Sequence, residues 1–122
     1  MSKGAWLGLA CVALLVSSGC HDDRRFERHT PPPGQGALLV DNGAPNHLRV
    51  YIDSVRQDPD ARRSRITSYD LDPGLYRLVL EERRTGRNAR LDVDILADRN
   101  TVAIVDVDPD LPWLVVRIFF AR

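Results

Sequence analysis

From Ala37 onward the apolar residues recur at every second position, and that period admits one kind of element. In "LRVYID", Leu48, Val50 and Ile52 fall on one face and Arg49, Tyr51 and Asp53 on the other. "LYRLVLEE" groups Tyr76, Leu78 and Leu80, and "ARLDVDIL" sends Leu91, Val93 and Ile95 one way and Arg90, Asp92 and Asp94 the other. Successive side chains of a strand point to opposite faces, whereas a helix repeats every 3.6 residues. "ALLVD", "ITSYDL", "TVAIVDV" and "WLVVRIFF" bring the expected count to seven strands. Between them lie the turn formers "NGAPN", "DPG", "RRTGR", "ADRN" and "DPDLP". Short strands at regular spacing with Gly/Pro turns predict an all-β fold, a small seven-stranded antiparallel β-sandwich over residues 37–122. Such a domain is near the lower size limit for a self-supporting core, so Val, Leu and Ile packing must hold it.

The N-terminus follows a different plan. Lys3 precedes "AWLGLACVALLV", apolar from Ala5 to Val16 except for Gly8, and small residues then lead to Cys20. The run is too short to cross a bilayer as a helix, which takes roughly 20 apolar residues, but it fits a secretory signal. "VSSGC" resembles the lipobox of bacterial lipoprotein signals, with Ser18 and Gly19 as the small neighbours and Ser17 where that family usually has leucine. The resemblance implies that residues 1–19 are a lipoprotein signal peptide and that Cys20 is lipidated and becomes the mature N-terminus. Cys11 would leave with the signal, so Cys20 would have no disulfide partner. Several acyl chains anchor a protein stably without a transmembrane helix. The family's inner-membrane sorting residue is an aspartate after the cysteine; His21 stands there, which implies the outer rather than the inner membrane of the bacterial cell envelope.

Residues 20–36 read as the lipidated cysteine and a proline-rich, disordered tether. "HDDRRFERHTPPPGQG" has no apolar period, and Pro31–Pro33 favour polyproline II. At full stretch its 16 residues reach roughly 50 Å. Removal of residues 1–19 takes Lys3 and leaves 16 basic residues, all arginine, against 17 acidic ones. No basic stripe with interleaved aromatics appears, which argues against nucleic acid as a partner.

"LRVYID", "ITSYDLDPGLYRLVLEERRTGR" and "LDVDILADRNTVAIVDV" together resemble the PEGA-type domain over Leu48–Val107. Ser54 replaces that family's glycine after "VYID", Asp72 stands at a usual proline, and Arg99–Asn100 replace a glycine turn. A transthyretin-like or carboxypeptidase-regulatory-like sandwich would give a similar pattern. The resemblance implies an extracytoplasmic binding or spacer module with no catalytic residues to carry over.

Few residues suggest chemistry. Asp106, Asp108 and Asp110 alternate, and two carboxylates on one strand face could share a hard cation. Leu111 and Arg117 occupy the positions where an EF-hand loop needs glycine and glutamate. His21, His29 and His47 lack zinc spacing, and Ser54, Ser64 and Ser68 lack a nucleophile-elbow context. Arg62, Arg63 and Arg65 in one loop, with Arg83, Arg84 and Arg87 around a hairpin, would form a basic rim if the fold gathers them at one end. "WLVVRIFF", apolar on both faces, reads as a central or well-covered strand or as an edge that pairs with a partner chain.

The expectation is therefore a non-catalytic, membrane-anchored envelope lipoprotein without cofactors, whose β-sandwich binds or spaces an envelope protein or polysaccharide. The alternatives are a secreted hydrolase or enzyme accessory domain, and a calcium-dependent adhesion module.

Overall fold

The computed structural model describes residues 24–121. The signal segment and Cys20 lie outside them. After a one-turn 3-10 helix (Arg24–Glu27) come eight strands: β1 (Gly36–Asn42), β2 (Leu48–Ile52), β3 (Val55–Arg56), β4 (Ile66–Leu71), β5 (Gly74–Glu82), β6 (Asn88–Ile95), β7 (Asn100–Val107) and β8 (Leu114–Ala121). They form two four-stranded sheets, ordered β4-β1-β7-β8 and β3-β2-β5-β6. The alternating apolar residues meet between the sheets. Leu38, Val40, Val105 and Val116 from the first pack with Val50, Leu78, Leu80, Leu91 and Val93 from the second.

The eighth strand, beyond the seven expected, is β3. It is two residues long, too short to show a period, and it folds back on β2 with Ile52 opposite Val55. The intervening Asp53 and Ser54 both have positive φ, 49° and 70°. That is the geometry of a two-residue hairpin turn, which usually signals itself through glycine. Here Asp53 supports it instead: its carboxylate accepts from the Arg77 amide at 2.8 Å. The sheet is also not wholly antiparallel. β1 and β7 run parallel, Ala37 beside Asn100, while every other named pair is antiparallel.

The larger correction concerns the tether. From Arg24 to Gln35 the chain lies as a strap against the outer face of the first sheet. Phe26 is 1% exposed and closes a second apolar cluster with Ala37, Leu39, Val102, Ile104, Phe119 and Ala121. Its ring meets Phe119 edge-on, centroids 5.4 Å apart. The buried Asn100 side-chain amide donates to the carbonyls of Phe26 at 2.9 Å and His29 at 2.7 Å. This cover explains why β1 and β7 are buried on both faces. β8 is an edge strand, not a central one. Leu114, Val116 and Ile118 face the core, and Phe119 is capped from outside by Phe26.

Candidate functional site

The β1–β2, β3–β4, β5–β6 and β7–β8 connections all emerge at one end of the sandwich, as the strand directions and registers require. Both arginine groups therefore lie there. Asn42, fully buried, organises this end. Its side-chain amide donates to the carbonyls of Asn46 at 3.0 Å and Ala61 at 2.9 Å, and its Oδ1 accepts from the Ala44 amide. Its backbone pairs with Arg65 and Ser64. His47 then ties the two arginine segments together. Its Nδ1 accepts from the Arg63 amide at 3.1 Å, and its carbonyl accepts from the Arg83 amide at 2.9 Å. Tyr69 reaches out of the core to donate to the Pro59 carbonyl at 2.6 Å. Burial, with the charges of Asp60 and Asp58 adding, pushes its phenol far above the ordinary range.

The β5–β6 hairpin is held by a buried carboxylate. Glu82, with no exposed surface, accepts from Asn46 at 3.0 Å, from Thr85 and from Arg87 Nε at 2.8 Å. Burial alone would raise its pKa. The bonds from Thr85, Asn46 and Arg87, with the charge of Arg87, outweigh burial and hold the carboxyl below its ordinary value. Arg87 is thus committed to the fold. Arg83 lies 3.8 Å from Asp60, whose other oxygen meets Arg56 at 2.8 Å. Arg62, Arg63, Arg65 and Arg84 are exposed, and their side chains have no ion-pair partner among the described residues. The rim expected from six arginines consists of these four plus a loosely held Arg83.

The three aspartates do not converge. Asp106 faces Arg117 at 3.8 Å, while Asp108 accepts from the amide of Asp110 in the β7–β8 loop. Among the described residues no group of three or more His, Cys, Asp or Glu side chains is placed to hold a metal ion. His29 and His47 sit at opposite ends. His29 Nε2 lies 2.6 Å from an Asp70 oxygen and latches the strap, and His47 is spent on the loops. Among the described residues neither ring is hydrogen-bonded to a serine.

Sequence reasoning missed Phe26, Asn42, His47, Glu82 and Asn100. Phe26 carried one signal: it is the single aromatic residue in an otherwise polar stretch. No protein-family model matches the chain, and no curated protein matches it.

Proposed function

We propose that this chain is a lipid-anchored, non-catalytic module of a bacterial envelope, carried by Cys20 and presenting the loop end of a β-sandwich to its surroundings. The reading rests on one juxtaposition. "VSSGC" ends four residues before Arg24, and among the described residues both apolar clusters are assembled between Phe26 and Ala121. The docked strap also changes what the anchor would do. Four residues from Cys20 to Arg24 span about 14 Å at full extension, not the 50 Å of a free tether. The sandwich is held close to its membrane rather than spaced away from it.

The test is Cys20→Ser. The variant leaves the membrane fraction after a high-salt wash and keeps the wild-type melting curve, because the residues from Phe26 to Ala121 build both clusters among those described. Retention in washed membranes would refute the anchor.

A further inference from the structure

The strap and the charge pattern together orient the molecule. Arg25 pairs with Asp41 at 3.0 Å, near the loop end of β1. Further along, His29 meets Asp70, the Gly34 amide donates to Asp98 and the Gln35 side chain to Asp72, all at the opposite end. The strap therefore starts on the loop-end side and descends away from it. That loop end is basic on the β3–β4 and β5–β6 connections. Residues 57–65 and 82–87 hold six arginines against Asp58, Asp60 and Glu82, and Asp60 and Glu82 are already paired. Arg62, Arg63, Arg65 and Arg84 project there without a partner among the described residues. Among the described residues the opposite end is acidic: Asp53, Asp72, Asp94 and Asp98 stand against Arg99, while Arg77 is taken by Asp92. Asp108 and Asp110 lie at the loop end too, in the β7–β8 connection, which starts from β7, the immediate neighbour of β1.

We propose that Arg62, Arg63, Arg65 and Arg84 bind the phosphate groups of anionic lipid headgroups, so that the sandwich stands loop end down on its membrane. The proposal rests on the Cys20 anchor, which confines these arginines to the surface they would touch. Guanidinium groups suit this role, because their forked donors pair with two phosphate oxygens at once. A lipid chain and a basic patch reinforce each other in membrane binding. The acidic end is repelled by the same surface, which fixes the sense of the orientation.

The test uses the mature protein purified from membranes in detergent and reconstituted in two kinds of vesicle, phosphatidylcholine alone and phosphatidylcholine with phosphatidylglycerol. Phenylglyoxal modification of each arginine is followed by peptide mass spectrometry. Arg62, Arg63, Arg65 and Arg84 are modified several-fold more slowly on the anionic vesicles, and added salt removes the difference. Arg99, exposed at the opposite end, reacts alike on both. Equal rates for the four arginines on both vesicles would overturn the proposal, as would equal slowing of Arg99. Protection by a dissolved uronic-acid polysaccharide, but by neither vesicle, would overturn it in favour of a polymer ligand. The mass of the N-terminal peptide reports separately on the anchor. If Cys20 proves unmodified, flotation of the protein with anionic vesicles alone still upholds headgroup binding, and lack of flotation refutes it.

Discussion

Phe26→Ala separates a docked strap from a free tether by a large margin. A tether residue contributes nothing to folding, so its truncation would cost less than about 0.5 kcal/mol, as exposed substitutions do. Phe26 is instead 1% exposed, wedged among Leu39, Val102, Ile104 and Phe119. Truncating a buried phenylalanine costs about 3–5 kcal/mol, because transfer energy and a cavity term add. The edge-on contact with Phe119 accounts for about 0.5–1.5 kcal/mol of such a loss. Against a total of about 5–15 kcal/mol for a domain, this is a large fraction. Urea unfolding of wild type and variant measures the difference. Phe120→Ala is the control, since that neighbouring ring is 37% exposed and is not part of the strap cluster. Trypsin provides a second readout: cleavage after Arg28 speeds up in Phe26→Ala as the strap lifts. A midpoint for Phe26→Ala within error of wild type, with unchanged cleavage, would refute the docked strap and restore the tether.

Three further outcomes follow from the same geometry. Leu78→Ala, at a position with no exposed surface, costs about 2–5 kcal/mol in thermal melts; Arg77→Ala, whose bond to Asp92 is solvent-exposed, leaves the melting curve close to wild type. The reverse ranking would mean a one-residue slip of β5. Glu82 has a lowered pKa in the fold, so the stability it adds is present above the ordinary glutamate range and is lost as pH falls through the folded value. Glu82→Gln therefore flattens the acid limb of the melting-temperature profile, and an unchanged limb would show that this carboxylate is not held ionised. Asn42→Ala removes three hydrogen bonds at a buried site and leaves carbonyls and an amide unmatched, at about 1–3 kcal/mol, with faster amide exchange at Ala44 and Ser64; exchange confined to global unfolding would contradict its role in holding the loops.

The strand faces were legible because alternation is a local property. Leu48, Val50 and Ile52 face the core as their spacing requires, and so do Leu91, Val93 and Ile95. What was not legible depends on residues far apart. Phe26 reads as a tether residue because its neighbours are charged; its burial comes from a surface built by β1, β7 and β8. The two-residue β3 is paired by a turn whose left-handed positions are filled by Asp53 and Ser54 in place of glycine. At the loop end the arginines are visible in the sequence as two clusters. Which of them stay unpaired was hidden, because Glu82, placed by periodicity alone on an ordinary strand, claims Arg87. Asn42 and Asn46 look like turn residues, and they are, but the donors that stitch three connections together appear only once Ala61 arrives from the next loop.

The parallel pairing of β1 with β7 sets the order in which the chain can assemble. Ala37 finds Asn100, and Asn42 finds Val105, 63 residues later in each case. Closing so long a loop costs entropy before any ladder bond repays it, and pairings of this kind slow folding. β1 sits between β4 and β7, so the first sheet has no centre until nearly the whole chain is present. The second sheet is different: β5 and β6 meet through a short hairpin, and β2 joins them antiparallel. A growing or emerging chain can thus form its β5–β6 hairpin and its β1–β4 pairing early, while the β1–β7 seam and the strap that covers it wait for the C-terminal strands. The protein stays open for most of its synthesis and shuts last along the seam where its first strand meets its seventh.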